Sequence, residues 1–349
     1  MTGRVALALG LAAAACAPVA ELEEWRAELA HVPAGIAGDP DAEVDRDLRL
    51  AEGAAGVGQR CAALREAGRD AARGEGVRAL AIWARVERDG RCRGLWAEAK
   101  LRLGLGALAR GETVRGVEMV AGVVRGYPES LWAREGVRRL YEERVGLAAA
   151  GISFDCLMEG LYEETRESAV AGHVLFYGGL ARAEEGREEE ALYLLVRLID
   201  GHPESALWDD AVVAAADLLR EAGRAGDETK LLEDALAAYE ERGIDGGMDA
   251  FTGRIRLRVA ELNVAQGRYE DALGQLARVV NEQEKASLKD DALWMAAEVL
   301  AELGDEERDE AALRALIEGC PWSRYVESAK ARLAELKEGE ADGKQVGGH

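Results

Sequence analysis

Between Gly58 and Leu336, apolar residues recur three and four places apart in short runs, and each run is interrupted by a glycine or ended by a proline. This is the period of amphipathic helices rather than of strands. The clearest copy is GGLARAEEGREEEALYLLVRLIDGHP, Gly178 to Pro203. Leu175, Gly179 and Leu180 share a stripe before Gly186, and Ala191, Leu195 and Leu198 share another after it, until Pro203 stops the second helix. The pattern predicts a helix hairpin. The small residues Gly179 and Ala191 let the two backbones approach closely. Leu195 and Leu198 then need a neighbouring hairpin to cover them, so one copy alone is unstable.

Placing the other breaks on Gly186 reveals a repeat. Breaks fall at Gly74, Gly111, Gly186, Gly223, Gly267 and Gly304, separated by 37, 75, 37, 44 and 37 residues. The 75 conceals one degenerate unit, between about Trp132 and Ser168, and the 44 contains an insertion placed in GIDGGMDAFTG, Gly243 to Gly253. About seven units are implied. Seven residues before each break stand Ala67, Gly104, Gly179, Ala216, Ala260 and Ala297, all small. Nine after stand Trp83, Val120, Leu195, Leu232, Leu276 and Leu313, and twelve after stand Val86, Val123, Leu198, Ala235, Val279 and Leu316, all apolar. Seventeen after, three copies carry Pro128, Pro203 and Pro321, which end the second helix at a fixed place. The fold class predicted is all-α: an α-solenoid of stacked antiparallel helix hairpins over residues 57–337.

A small residue in the middle of the first helix, Gly at the turn, an aromatic two later (Tyr269 in GRYEDA), Ala in the second helix and Pro at its end resemble the tetratricopeptide repeat (TPR) family. The unit here is nearer 37 than 34 residues and the early Trp of the family is mostly replaced. The connectors GYPES, GHPES and GCPWS look like those of bacterial envelope lipoproteins of TPR type, including the lipoprotein of the outer-membrane β-barrel assembly machine. The resemblance implies a scaffold that binds a protein or peptide without catalysis. It also implies that first helices line a concave groove, where the matching positions include His173, Glu184, Asp217, Glu221, Glu261, Glu298 and Glu302. Most are acidic, and the alternative to a binding groove is a solvated face. The Lys and Asn clamp by which some family members grip a C-terminal carboxylate is absent.

The ends of the chain carry different signals. MTGRVALALGLAAAACAP has one charge, Arg4, then an apolar run too short to span a bilayer, then small residues before Cys16. This reads as an export signal over residues 1–15. Small residues directly before a cysteine resemble the bacterial lipoprotein signal, which implies a lipid on Cys16 and an outer-membrane anchor facing the periplasm. The alternative is an ordinary secretory signal cleaved after Ala13 to Ala15. Residues 16–56 then form the lipidated N-terminus and a helical cap, because AELEEWRAELAH, 20–31, is amphipathic and terminal units of stacked arrays need shielding. After Leu336, KEGEADGKQVGGH has no apolar stripe, so 338–349 is expected to be disordered.

Charge narrows the partners. The formal net charge of -22 excludes nucleic acid and an anionic membrane surface as electrostatic partners and favours a basic protein. No cofactor motif and no metal-ligand spacing is visible among five cysteines and four histidines. In an exported chain the hairpin brings Cys61, near the start of a first helix, towards Cys92, just past the end of the second. A disulfide between them is the expectation; two separately buried thiols are the alternative.

Several clusters suggest catalysis and have plainer readings. The pairs Asp209-Asp210 and Asp290-Asp291 start first helices, where negative charge is favoured electrostatically. Trp96, Trp132 and Trp208 each follow a Leu at the start of a first helix and read as packing between units. Ser153, Ser168 and His173 lack a nucleophile elbow, and the glycines of GLGALARG follow no strand. A cell-wall enzyme or enzyme subunit with a superhelical substrate-binding domain is the alternative function, although no stretch is left over to form a separate catalytic domain.

Overall fold

The computed structural model describes residues 56–74, 76–88, 90–241, 250–282 and 288–346. Residues 1–55 lie outside the described part, and with them the export signal, Cys16 and all but the last residue of the predicted cap.

Sixteen α-helices and no strand are found among the described residues. They pair as α1 (Val57–Gly74) with α2 (Gly76–Arg88), α3 (Trp96–Ala109) with α4 (Thr113–Gly126), and α5 (Leu131–Glu142) and α6 (Arg144–Ala149) together with α7 (Phe154–Thr165). Then come α8 (Ala171–Glu184) with α9 (Glu188–Gly201), α10 (Trp208–Glu221) joined to α11 (Ala225–Glu241), α12 (Ala250–Ala265) with α13 (Tyr269–Glu282), and α14 (Lys289–Glu302) with α15 (Glu306–Gly319). A last helix, α16 (Val326–Val346), follows the seventh hairpin. The architecture is an all-α solenoid of stacked hairpins. The chain forms two compact units, divided between Trp208 and Asp209.

The glycine breaks have one physical cause. Gly111, Gly186, Gly223, Gly267 and Gly304 all take φ between 69° and 78°, the left-handed region that an L side chain resists. At each, the next residue donates its N–H back to the carbonyl four before the glycine, as Arg187 does to Arg182 at 2.8 Å and Asp305 to Leu300 at 2.9 Å. This Schellman closure satisfies carbonyls that the end of the first helix would otherwise orphan. Gly151, with φ 79°, makes the same closure through Ile152 to Leu147, and it is the turn of the degenerate unit.

That unit departs from the register because Arg144 stands seven before its glycine, where the other hairpins have Gly or Ala. A long side chain there prevents the usual close approach, and the first helix breaks at Glu143 into α5 and α6. At the Gly74 turn, by contrast, Gly74 is the last residue of α1 and α2 starts two residues on.

Packing follows the predicted positions. Trp83, Val120, Leu195, Leu232, Leu276 and Leu313 are all at most 1% exposed, and each of the six residues three further on is buried too. In the first unit, second helices pack on second helices (α4 on α7) and first helices on first helices (α3 on α5, α5 on α8), so the hairpins form two layers with the core between them. Connectors repeat as well. Tyr127, His202 and Cys320 donate their N–H groups to Val123, Leu198 and Leu316 at 2.9 Å, and the following proline stops the helix. The N–H groups of Ser130, Ser205 and Ser323 then donate back across the turn to the carbonyls of Tyr127, His202 and Cys320.

Cys61 and Cys92 are joined by a disulfide, with α-carbons 5.5 Å apart, which ties the start of α1 to the end of the first hairpin. Cys320 is a free, buried thiol.

Two expectations change. The tail predicted to be disordered over 338–349 is helical as far as Val346. Its Lys, Glu, Ala and Gln propagate a helix already nucleated by the packed half of α16, where Ala329 and Leu333 are buried, even without an apolar stripe of their own. The insertion is also shorter than placed, since α12 already runs from Ala250 and Phe251 is buried in it. Residues 242–249 lie outside the described part.

Candidate functional site: a pocket on the first-helix face

In the first unit, three successive first helices, α3, α5 and α8, surround an open pocket of about 370 Å³. Leu101, Arg102 and Leu105 come from α3, Leu101 and Leu105 one turn apart on the side of the helix that also meets the core. From α5 come Leu131, Trp132, Arg134, Glu135 and Arg138, and from α8 His173 and Tyr177, again one turn apart. Ser130 fixes the start of α5 by accepting the Ala133 N–H at 3.1 Å, which holds Leu131 and Trp132 at the rim.

Half of the lining is apolar or aromatic and most of the rest is cationic. Three arginines against one glutamate leave a net +2 on this wall, in a chain whose net charge is -22. The arginines are not equivalent. Arg138 is bound twice to Glu135, at 2.6 and 2.9 Å, and also to Glu142. Glu135 further accepts from Arg139 at 2.9 Å. Burial pushes the Glu135 carboxyl up, but these two arginines outweigh it and hold the group below the ordinary carboxylate range. Its charge is therefore already spent.

Arg102 and Arg134 have no carboxylate partner among the described residues. Arg102 lies over the Trp132 ring, 5.7 Å from its centroid, a contact that orients the guanidinium without neutralising it. The Nε atoms of both arginines are buried without a hydrogen-bond partner, and so is Nδ1 of His173, a residue only 9% exposed. Burial, with Arg134 nearby, pushes the His173 imidazole down to about 4, so the ring is neutral at pH 7. Three of the ten buried, unpartnered side-chain atoms found among the described residues thus belong to residues that line one pocket. Such atoms are costly unless something satisfies them. At the rim, Leu131 is 60% exposed.

The other groove residues read from the sequence lie elsewhere or are engaged. Glu184, at the far end of α8, accepts from Tyr141 and Arg144. Burial and Glu184 push the Tyr141 hydroxyl up to about 12. Asp217, Glu221, Glu261, Glu298 and Glu302 belong to the second unit. Asp217 pairs with Arg220, Glu261 with Arg258 at 2.8 Å, and Glu302 accepts from Tyr269. Of the predicted set, His173 is the residue that lines the pocket.

The remaining clusters have local roles. Ser153 accepts the Cys156 N–H at 3.3 Å as a helix cap, and Ser168 donates to the Thr165 carbonyl at 2.5 Å, so neither faces His173 as a nucleophile. Asp290 accepts from Ser323 at 2.7 Å and Asp291 from Tyr325 at 2.9 Å, which locks the last connector. Trp208 donates to the Ile199 carbonyl at 3.0 Å and is buried, a packing role. Among the described residues no group of acids, histidines or cysteines could hold a metal ion, and no helix is long and apolar enough to cross a membrane.

Sequence reasoning overlooked Arg102, Arg134 and Tyr177. One local signal was present: Arg134 has no acid three or four residues away on its helix, unlike Arg138 with Glu135 and Glu142.

No protein-family model and no curated relative matches the chain. Among solved structures it is similar to a tetratricopeptide repeat protein from Parabacteroides merdae ATCC 43184, at 14% identity over 79% of this chain and 98% of that one, with a TM-score of 0.33. It is also similar to PilF of Pseudomonas aeruginosa, at 16% identity over 68% and 97% with a TM-score of 0.35. PilW, a type IV pilus biogenesis factor, matches at 13% identity over 66% and 97%, with a TM-score of 0.37. Likenesses of this size carry no argument about function, and the fold rests on the hairpins themselves.

Proposed function

We propose that the chain is a noncatalytic, TPR-like scaffold of the bacterial cell envelope that binds another protein or peptide through its first-helix face. The observation that supports this most is the pocket in the first unit. Its two arginines without a carboxylate partner and its exposed Leu131 are groups that a partner would pair with and cover. A lipid on Cys16 would hold the scaffold to a membrane, facing the periplasm from the outer membrane, where outer-membrane protein assembly is one process it would serve. The net charge of -22 attracts a partner that is basic overall, by long-range steering. Binding requires no cofactor.

Crosslinking in the native envelope, followed by pull-down and substitution of the pocket arginines, tests the scaffold reading. A partner whose capture is lost with Arg102→Gln and Arg134→Gln supports it; turnover of cell-wall material by the purified protein, lost on changing a single acid, overturns it in favour of an enzyme. The anchor is tested separately. Wild-type protein should partition with detergent-extracted membranes and Cys16→Ser should release it or leave it unprocessed, whereas a freely soluble wild type refutes the anchor.

A further inference from the structure

We infer that the pocket between α3, α5 and α8 receives an acidic side chain of the partner, carried beside an apolar residue. This rests on the scaffold reading and specifies the chemistry of the group that the scaffold recognises.

The charge balance selects the ligand. Glu135 is occupied by Arg138 and Arg139, and Arg138 by Glu135 and Glu142, which leaves Arg102 and Arg134 as the cations free to act. Both residues line the pocket and neither guanidinium has a carboxylate partner among the described residues; a carboxylate is the planar acceptor that such forks match. His173, more than nine-tenths buried, lines the same space, and its Nδ1 has no hydrogen-bond partner. Held neutral, it supplies one further hydrogen bond rather than a third positive charge.

Volume and polarity fix the rest. About 370 Å³ admits a side chain with part of its neighbour, not an extended polymer. Leu101, Leu105 and Trp132 offer an apolar wall next to the arginines, and Leu131 stands exposed at the mouth, where an apolar neighbour of the acid would cover it. A polyanion is disfavoured because the chain's net charge of -22 repels it beyond the immediate reach of the two arginines. One carboxylate on an otherwise uncharged peptide meets the local +2 without that penalty.

The test uses the full chain and two probes, the capped peptides acetyl-Gly-Phe-Glu-Leu-Gly-amide and its Gln counterpart, with inorganic phosphate as a third titrant. Binding is read from the arginine Nε–H and histidine ring signals in NMR spectra. The Glu peptide should bind at least about tenfold more tightly than the Gln peptide, as expected for charge-assisted hydrogen bonds, and shift the signals of Arg102, Arg134 and His173. Raising the salt should shrink the difference. Arg102→Gln and Arg134→Gln should each abolish it, while Arg314→Gln, whose residue is exposed and paired with Glu310, should leave it unchanged. Equal binding of the two peptides, or phosphate binding more tightly than the Glu peptide, overturns the inference. The wild-type comparison needs no variant to fold. A partner captured in the envelope while the two peptides bind equally would leave the scaffold reading standing and remove this one; a Glu preference together with turnover of cell-wall material would leave the pocket's preference for an acid standing and remove the scaffold reading, and with it the assignment of that acid to a partner.

Discussion

Substituting glycines by alanine at four places in the first unit separates packing from backbone conformation. In α7, Gly160 is exposed, and an added Cβ would meet nothing within 4 Å. Gly160→Ala should therefore gain the helix-propensity difference, about 1 kcal/mol. At Gly179 the Cβ would lie 3.1 Å from Leu195 Cγ and 3.2 Å from its Cδ2, a flexible side chain that can give way. The same gain is then offset by overpacking, and the net change should be within about 1 kcal/mol of zero. Gly116 is different. Its Cβ would lie 2.6 Å from Leu108 Cγ and 2.8 Å from the Leu108 backbone nitrogen, and a backbone atom inside α3 cannot move without displacing the helix. Gly116→Ala should cost about 1 to 3 kcal/mol net. Gly186 has open space but φ 73°, so alanine there should cost roughly 1 kcal/mol through conformation alone. Urea denaturation followed by circular dichroism, with the midpoints compared at constant slope, measures all four. The order Gly160, Gly179, Gly186, Gly116 from most to least stable is expected. A Gly116→Ala protein as stable as Gly160→Ala would refute the close approach of α3 and α4 and the register built on it.

Cys61→Ser with Cys92→Ser opens a loop of 31 residues and should cost up to about 4 kcal/mol on the chain-entropy estimate, measurable as a lower urea midpoint under non-reducing conditions. Glu98 is fully buried in α3 and held by Arg65 at 2.7 Å and Arg69 at 3.2 Å from α1; Glu98→Ala should lose about 1 to 3 kcal/mol, less than for a fully buried pair because both arginines are over a third exposed and return to water. His173 has a folded value of about 4 against 6.5 for the free side chain, so the unfolded chain binds its proton first as the pH falls. Stability should drop between about pH 6.5 and 4 by up to about 3 kcal/mol, and His173→Gln should flatten that part of the stability profile; an unchanged slope would show that the ring is accessible to protons in the folded state.

The hairpins were legible because each turn is specified within a few residues. A glycine that must take positive φ, a small residue seven before it and apolar residues nine and twelve after it all act through one local closure. Where the local rule is broken, legibility fails in step. Arg144 at the small position hides the turn at Gly151, and the break at Glu143 is visible only once the neighbouring helices are in place. The helical tail to Val346 was missed for the opposite reason: it depends on nucleation by the packed start of α16, which an apolar-stripe criterion does not count.

The pocket was not legible because its charge is a remainder. Arginine is spread along the chain, and most of its copies face an acid three or four positions away or on the next hairpin, as Arg258 does with Glu261 and with the buried Glu228. A count of residues at groove positions sees the acids and predicts a negative face, but an acid whose charge is bound by a neighbour attracts nothing. What remains is set by which pairs are already formed. Arg102 has Glu98 within reach along its own helix, yet Glu98 is held by Arg65 and Arg69 of the preceding hairpin. Arg102 is thus left unpaired by a contact that spans some thirty residues of sequence, and the ion pairs from α1 to Glu98 of α3 decide the charge of a wall that neither helix specifies alone.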